Sequence, residues 1–297
     1  MDDINWFMLE ASAKNLDQFM TALESQRSKL SDENWKVFVE TDSTLKEWRY
    51  LLLNDPYTKW GYVKPRGYPG DAVLMDFAYN HQSIECHVQS SSSQGKAIYK
   101  YTSRAPQSRS AVSRVRFISH IIEERSQTHK ISVASIASGH AREMEYLTNK
   151  SKKNISSFLA VDSDRRSLDV LHSSFLNNNI YVAGINKNIF KTRLDKYGTR
   201  DIVYSLGLFD YLNDETAVKV LDNMCSCVAE NGTVVIANLH HQAANLGYCE
   251  AIMDWWMIPR NEEKLKSIAE NLQNIDRSWS IKIKRLDCFC YLIIEGK

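Results

Sequence analysis

The pattern that most constrains the fold begins near residue 131, where short apolar runs start to alternate with helical stretches. The clearest helical stretch repeats its apolar residues every three or four positions, at Ala217, Val220, Leu221, Met224 and Val228. Strands that alternate with helices predict a parallel sheet with crossover helices on its faces. The predicted strands are 131–137, 156–161, 179–184, 201–206 and 232–238.

The chain ends with a different pattern. Residues 280–286 and 289–295 are two further strand-like runs, joined by two residues. So short a connection joins antiparallel neighbours, because a parallel return needs a crossover of about a dozen residues or more. We therefore predict an α/β fold, in which five parallel strands are followed by a terminal antiparallel hairpin and preceded by a helical N-terminal region.

Two helical patterns open the chain. Ser31 is a suitable N-cap for the second helix, and Pro56 marks its end. The apolar residues of the first pattern are Ile4, Phe7, Met8, Ala11, Phe19 and Met20, and those of the second are Trp35, Phe38, Leu45, Trp48 and Leu52.

The region that follows is less regular. Residues 55–71 contain three prolines and three glycines, which predicts a loop. Residues 74–79 are helical in pattern, the serine-rich stretch 90–95 is typical of a flexible connector, and a long helix is predicted over 108–125. We predict a domain boundary after residue 105, with a helical lid or substrate region at 1–105 and the sheet domain at 106–297.

The composition limits the kinds of partner that we expect for this chain. The 37 basic and 36 acidic residues leave a net charge of +1, which gives no electrostatic reason to expect nucleic acid. The chain has no run of 18 apolar residues and no signal-peptide pattern, so we expect a cytoplasmic protein without a membrane partner. Its six cysteines lack C-x-x-C spacing and are predicted to be reduced core thiols without metal. The expected partner is a small-molecule substrate, and a homodimer is left open.

The directions predicted for the successive strands distinguish two nucleotide-binding folds. Five parallel strands followed by a hairpin are the topology of class I S-adenosylmethionine (SAM) methyltransferases. A nicotinamide-binding Rossmann domain would continue with a sixth parallel strand. The topology therefore favours SAM as the cofactor.

The end of the first strand is a candidate cofactor turn. Small residues, Ala137, Ser138, Gly139 and Ala141, follow it, as a sharp turn beneath a ligand requires. Methyltransferases usually have an acidic residue and three alternating glycines here, whereas this chain has Ser135 and one glycine, so a generic tight turn stays an alternative. The predicted cofactor contacts in this turn are Ser138, Gly139, Arg142 and Glu143.

The ends of the second and third strands supply further candidates. Asp162 lies 23 residues after Gly139, where a carboxylate can accept both ribose hydroxyls, and Ser163 follows it. The alternative is that Asp162 caps the helix that starts near Asp164. Asn188 and Ile189 are predicted to contact the adenine edge, with a simple turn as the alternative.

The fourth strand ends beside the expected position of the methionine part of SAM. Gly207 permits close approach, and Leu206 and Phe209 are predicted cofactor contacts, with the Phe209 ring against the sulfonium. Ordinary core packing is the alternative for Phe209 and for Tyr211.

Three sequence features together resemble one bacterial methyltransferase family. They are KPRGYPGD at 64–71, SGHARE at 138–143, and Trp255-Trp256 with Arg260. Members of that family include enzymes that make 3-hydroxypalmitic acid methyl ester, a quorum-sensing signal. The resemblance spans residues 55–297 and implies a SAM-dependent methyltransferase with an N-terminal helical lid. The PRGYPGD loop is then expected to hold Arg66, Tyr68 and Asp71 outward, or else to be an elbow between helices.

Methyl transfer from SAM needs a base only if the nucleophile carries a proton that must leave early. The candidate catalytic residues are His240, His241 and Asp210, and an arginine among Arg109, Arg114 and Arg116 is a candidate for holding a substrate carboxylate. The predicted substrate-binding residues are Tyr57, Tyr68, Asp71, Arg109, Tyr211, Trp255, Trp256 and Arg260.

The expected activity is methyl transfer from SAM to a small molecule, either a hydroxy fatty acid carboxylate or a secondary-metabolite scaffold. Two alternatives stay open. One is an N- or C-methyltransferase of an amino acid or natural-product intermediate. The other is a SAM-binding regulatory protein without catalysis, which the departures at Ser135 and Ala137 keep in view.

Overall fold

The sheet predicted from residue 131 onwards is present in the structure, a computed structural model that describes residues 13–175, 180–275 and 279–296. In this part of the chain the sheet has seven strands in the order β3-β2-β1-β4-β5-β7-β6. Neighbours among β1 to β5 are parallel, and β7 is antiparallel to both β5 and β6. The strands are β1 (Ile131–Ile136), β2 (Ile155–Asp162), β3 (Val182–Asn186), β4 (Arg200–Ser205), β5 (Val228–Leu239), β6 (Ser280–Leu286) and β7 (Phe289–Glu295).

The predicted fold class is confirmed, and the terminal hairpin has the predicted bounds. Two strands differ at their starts. β3 begins at Val182, three residues later than predicted, and residue 179 lies outside the described residues. β5 begins at Val228, four residues earlier, because Val228 pairs with Arg200 at the start of β4; the register then shifts before Thr233 pairs with Ile202.

The chain divides into two compact units. The first contains the residues up to 112 together with 243–257, and the second contains 113–242 and 258–297. The sequence prediction placed the boundary after residue 105 and left 243–257 in the sheet domain. That segment belongs to the first unit because α12 (Leu246–Ala251) packs on α1 (Ala13–Lys29). The role of the first unit as a lid stays a prediction.

Helices of the first unit begin at polar side chains that cap them. Asp42 accepts a hydrogen bond from the Leu45 amide and starts a new helix, so the predicted second helix is in fact two. Asp55 caps a helix within the predicted loop, with Pro56 at its first position, and Ser92 caps another within the predicted connector. The helices are α2 (Asp32–Thr41), α3 (Ser43–Leu52), α4 (Pro56–Val63), α5 (Ala72–Tyr79), α6 (Glu85–Gln89) and α7 (Ser93–Thr102).

Other sequence predictions for the helices hold. Ser31 caps α2, and the long predicted helix is α8 (Pro106–Ser126), within which the unit boundary falls. Phe19 and Met20 are buried residues of α1. Ile4, Phe7, Met8 and Ala11 of the first predicted pattern lie outside the described residues.

The main core of the second unit lies between the sheet and two helices. Ile136, Val203 and Ile236 bring β1, β4 and β5 into this core, and Leu221 and Leu265 bring in the helices. The central parallel strands carry apolar side chains on both faces, as their near-continuous apolar runs require. The remaining helices are α9 (Asn149–Lys153), α10 (Arg165–Phe175), α11 (Asp214–Cys225) and α13 (Glu262–Glu270), of which α11 and α13 cover this core.

Within the described ranges, no helix is both long enough and apolar enough to span a bilayer.

Two carboxylates meet in the first unit where α1 packs on α12. Glu24 Oε1 accepts a hydrogen bond from the Gly247 amide at 2.7 Å, and Glu250 Oε2 lies 2.7 Å from Arg27 Nε. Burial, together with repulsion from Glu250, raises the pKa of Glu24 to about 7. Folded Glu24 therefore keeps its proton in a pH range where an unfolded glutamate has lost it.

The free energy of unfolding is expected to fall as pH rises from about 5 to about 8, because the folded state then binds more protons than the unfolded state. Glu24→Gln should reduce this fall by roughly 1–3 kcal/mol, since glutamine can still accept from Gly247 and does not ionise. Urea unfolding at both pH values measures the difference, with the exposed Glu33→Gln as control. An unchanged pH slope in Glu24→Gln would show that Glu24 does not titrate in this range.

Candidate functional site

The turn after β1 has an unusual backbone. Ala137, Gly139 and Ala141 all adopt the left-handed region, with φ of 53°, 53° and 50°. These are the positions at which methyltransferases usually have three alternating glycines. Because the left-handed conformation costs an alanine about 1–2 kcal/mol, contacts with the surrounding structure must hold it there. The turn therefore keeps the glycine-type backbone with two alanines in it.

Asp162, the last residue of β2, holds this turn in place. Its Oδ2 accepts a hydrogen bond from the Gly139 amide at 2.8 Å, and its Oδ1 accepts one from the Asp164 amide at 2.8 Å. Helix α10 is capped by Asp164 instead, whose Oδ1 accepts from the Arg166 amide. The reading of Asp162 as only a helix cap is therefore wrong. Burial raises the pKa of Asp162, although the two amides oppose this.

Two buried hydroxyls lie at the same edge of the sheet. Ser138 follows β1 and Ser205 ends the neighbouring β4, and among the described residues neither Oγ has a hydrogen-bond partner. A buried hydroxyl without a partner costs free energy, so each such group in a folded protein needs an explanation. A polar ligand at this edge would supply one. Ser163, in contrast, is exposed.

A buried carboxylate follows the turn. Glu143 is only 4% exposed, and the phenol of Tyr204 on β4 donates a hydrogen bond to its Oε1. Tyr204 pairs in register with Ser135, whose side chain also bonds to it. Ser135 occupies the position at which methyltransferases usually have an acidic residue. Tyr204 lies between Ser135 and Glu143, so the Glu143 carboxylate is one side chain away from that position. Burial raises the pKa of Glu143.

Arg142, beside Glu143, is also buried, and its guanidinium lies 2.8 Å from Glu145. It is thus held in the short 3-10 helix Arg142–Tyr146 that follows the turn.

The end of β3 offers a cavity. Asn188 Oδ1 accepts from the Phe190 amide and caps a 3-10 helix, which agrees with the turn alternative for this residue. Ile189 and Tyr211 line the same cavity of about 770 Å³, together with Phe190 and residues of α11. The structure therefore brings together a predicted cofactor contact and a predicted substrate contact. The turn after β1 does not line this cavity.

The end of β4 is occupied by an arginine. Arg114 of α8 is 4% exposed, donates to the Leu206 carbonyl at 2.7 Å and lies over the Phe289 ring at 4.5 Å. Its Nη1 is 3.9 Å from where a Cβ on Gly207 would stand. Among the three arginines considered from sequence, Arg114 is therefore the buried one, held at the end of β4. Burial alone, which the sequence does not give, separates it from the others.

Phe209 has a different position from the one predicted. Its ring is fully buried in the core beneath α11 and α13. A fully buried ring has no surface left for a ligand, so the prediction that Phe209 contacts the sulfonium is wrong and the core alternative holds.

The three candidate bases differ in exposure. Asp210 is 3% exposed, and its Oδ1 accepts from the Leu239 amide at 2.6 Å and from Asn238 Nδ2 at 2.9 Å. Burial raises the pKa of Asp210 to about 6, although Arg114, 3.7 Å away, opposes this. The carboxylate thus ties the segment after β4 to the end of β5, which argues against direct contact with a substrate.

The two histidines follow β5. His240 is buried, its Nδ1 accepts from the Gln242 amide at 3.1 Å and its Nε2 lies 3.5 Å from Glu262 Oε2. Burial lowers the pKa of His240. His241 is exposed, and its ring centroid lies 4.2 Å from that of His240. Of the three predicted bases, His241 is the one with an accessible ring.

Arg260 is a structural residue. Its guanidinium is 2% exposed and donates to the Phe209 and Leu212 carbonyls, to Asn238 Oδ1 and to Asp214 Oδ1. These acceptors occupy its donors, so the prediction that Arg260 binds substrate is wrong. No local pattern predicts this role, because the acceptors come from the segment 209–214 and from Asn238, both far from Arg260 in sequence.

The other predicted substrate contacts belong to the first unit, and Tyr57, Asp71 and Trp255 among them are buried. Tyr57 is 4% exposed and burial raises the pKa of its phenol. Asp71 is 2% exposed, caps α5 through the Val73 and Leu74 amides and accepts from Trp60 Nε1. The expectation that Asp71 is held outward is therefore wrong.

The rest of this set is more accessible. Tyr68 is 36% exposed and Arg109 is exposed, with its guanidinium donating to the Arg104 carbonyl. Trp255 is buried, whereas Trp256 is half-buried and donates to Asp254. Contact of these residues with a substrate stays a prediction.

Comparison with known proteins gives a likeness in fold. No protein-family model matches the chain, and no curated protein matches it. Among solved structures, a possible exported protein from Bordetella parapertussis is 16% identical with a TM-score of 0.60, over 76% of this chain and 79% of that one. Magnesium protoporphyrin IX methyltransferase from Synechocystis PCC 6803, with SAH bound, is 11% identical with a TM-score of 0.47, over 62% and 82% of the two chains. An O-methyltransferase family protein from Burkholderia thailandensis is 12% identical with a TM-score of 0.47, over 72% and 63%.

The left-handed backbone at position 137 can be tested by stability. Ala137→Gly should leave the free energy of unfolding unchanged or raise it by up to about 1 kcal/mol, because relief of the left-handed conformation offsets the greater freedom of the unfolded chain. Ala134→Gly, within β1, should instead lower it by about 1–2 kcal/mol. Urea unfolding of both variants gives the comparison. Equal losses would mean that Ala137 is not left-handed.

Proposed function

We propose that this chain is a SAM-dependent methyltransferase acting on a small molecule. The observation that carries the proposal is the turn after β1. Ala137, Gly139 and Ala141 keep the backbone of a glycine-rich cofactor turn, and Asp162 fastens it through the Gly139 amide. Strained backbone of this kind is maintained where a ligand is bound. The strand order, with an antiparallel β7, supports the same conclusion.

The polar groups around the turn fit SAM. The Asp162 carboxylate accepts two amide hydrogen bonds and has lone pairs left for the ribose hydroxyls. The Ser138 hydroxyl, buried and without a partner among the described residues, is a donor for the same ligand. Glu143 would take the ammonium of the methionine part, in place of the acid that is absent at Ser135.

SAM supplies a methyl group activated by a positive sulfonium. The protein has to align the acceptor and exclude water, and a base is required only for an acceptor that must lose a proton. Asp210 and His240 are buried with partners inside the protein. Two of the three candidate bases are therefore engaged within the protein, and His241 is the accessible one. This favours an acceptor that is already deprotonated, such as a carboxylate, which would yield a methyl ester. This supports an acid substrate over an amine or carbon acceptor.

The wild-type protein should bind SAM, but not NAD, and transfer a labelled methyl group to a carboxylic acid in a base-labile form. Asp162→Ala should weaken SAM binding by about 1.5–3 kcal/mol, as expected when a charged hydrogen-bond partner is lost. Calorimetry measures the affinity, and the exposed Asp169→Ala on α10 is the control. Normal SAM affinity in a folded Asp162→Ala protein would contradict the site, and NAD binding would contradict the function.

The role of Glu143 can be separated from that of the turn. Glu143→Gln keeps the shape and can still accept from Tyr204, but it removes the charge opposite the ammonium. Affinity for SAM should fall about tenfold or more, the order expected for a charged hydrogen bond. Affinity for methylthioadenosine, which has no ammonium, should not change. An equal loss for both ligands would make Glu143 a structural residue.

A further inference from the structure

Three potential metal ligands converge in the second unit, where β5 ends. His240 follows β5, Glu262 lies in the first turn of α13, and Cys290 is in β7. One ligand atom from each lies within 4.8 Å of the other two. His240 and Cys290 are buried, and the Glu262 side chain is 46% exposed, so an ion can enter from the Glu262 side.

The donor set is mixed. It offers one imidazole nitrogen, one carboxylate oxygen and one sulfur, and a site of these three donors suits a borderline-soft divalent ion. We propose that His240, Glu262 and Cys290 bind a zinc ion. This inference is independent of the proposed methyl transfer.

A fourth ligand is within reach. Zinc is almost always four-coordinate in proteins, and a three-ligand site leaves one position open. His241 is exposed and its ring centroid is 4.2 Å from that of His240, so a change of rotamer can bring it to the ion. Water takes the position otherwise. The positive charge of Arg285 acts on all three ligands and opposes a bound cation, while its Nη1 donates to Gln242 Oε1 at 3.1 Å.

Protons must be released for the ion to bind. The Cys290 thiol gives up its proton to become a thiolate ligand, while Glu262 binds as the carboxylate. His240 Nδ1 accepts from the Gln242 amide, so its ring proton is on Nε2, facing Glu262. Binding at Nε2 moves this proton to Nδ1 and turns the Gln242 amide away, which the exposed turn at 241–242 allows. One proton in total leaves for each ion bound.

The proposal departs from the sequence expectation of no metal, which rested on the missing C-x-x-C spacing. The three ligands are 22 and 28 residues apart, and β5, α13 and β7 bring them together only in the fold. A bound ion would link these elements beside the core of the second unit.

Cobalt titration tests the site. The full-length protein is used without a histidine tag, in a Cys86→Ser background that removes the exposed thiol. One equivalent of Co²⁺ should produce the intense visible bands of a tetrahedral site and a thiolate-to-cobalt charge-transfer band, both abolished by Zn²⁺. Cys290→Ser should lose the charge-transfer band, and Cys288→Ser, its neighbour in the hairpin turn, should keep it.

A second pair of variants covers the case in which Cys290→Ser does not fold. Glu262 is partly exposed, so Glu262→Gln should fold normally and bind Co²⁺ at least about tenfold more weakly. Glu263→Gln should bind as the parent does. The proposal is overturned if the parent gives no charge-transfer band, if the band persists in a folded Cys290→Ser protein, or if Glu262→Gln binds with unchanged affinity.

Discussion

The hydrogen bond from the Gly139 amide to the Asp162 carboxylate is the contact on which the candidate site depends. It joins the end of β2 to the turn after β1, at the carboxyl edge where ligands of parallel sheets bind. Because the acceptor is charged and shielded from water, the bond is stronger than one between neutral groups. It offsets part of the conformational cost of the left-handed Ala137 and Ala141, and it holds the same carboxylate at the carboxyl edge of the sheet.

A second group of buried charges organises the ends of β4 and β5. Asp210 accepts a hydrogen bond from the Leu239 amide and lies near Arg114. Arg260 donates to two carbonyls in the segment after β4, those of Phe209 and Leu212. A charge removed from water is tolerated only when it is paired or hydrogen-bonded, and Asp210 and Arg260 each have several partners. Residues that look catalytic in the sequence thus hold the loops in place. The same burial leaves Glu143 with a raised pKa next to the turn, where a cationic ligand would complete it.

The sheet could be read from the sequence because periodicity and connection length are local properties. The two-residue link before Phe289 and the alternation from residue 131 settled the strand directions without further information. Helix boundaries were harder. Asp42 and Asp55 both start helices that the apolar pattern had merged or missed, since a cap is a single polar residue within an otherwise continuous pattern. The position of the turn after β1 was predictable, but its left-handed alanines were not.

The sequence by itself determined the α/β class, the terminal hairpin and the tight turn after β1, because each is encoded by neighbours along the chain. Only the tertiary structure decided which polar residues are accessible at the carboxyl edge of the sheet and which are buried against other protein groups. Phe209 and Arg260 proved to be interior residues, and Glu262 and Cys290 proved to be neighbours. Burial and convergence depend on contacts between segments far apart in sequence, and no local pattern carries that information.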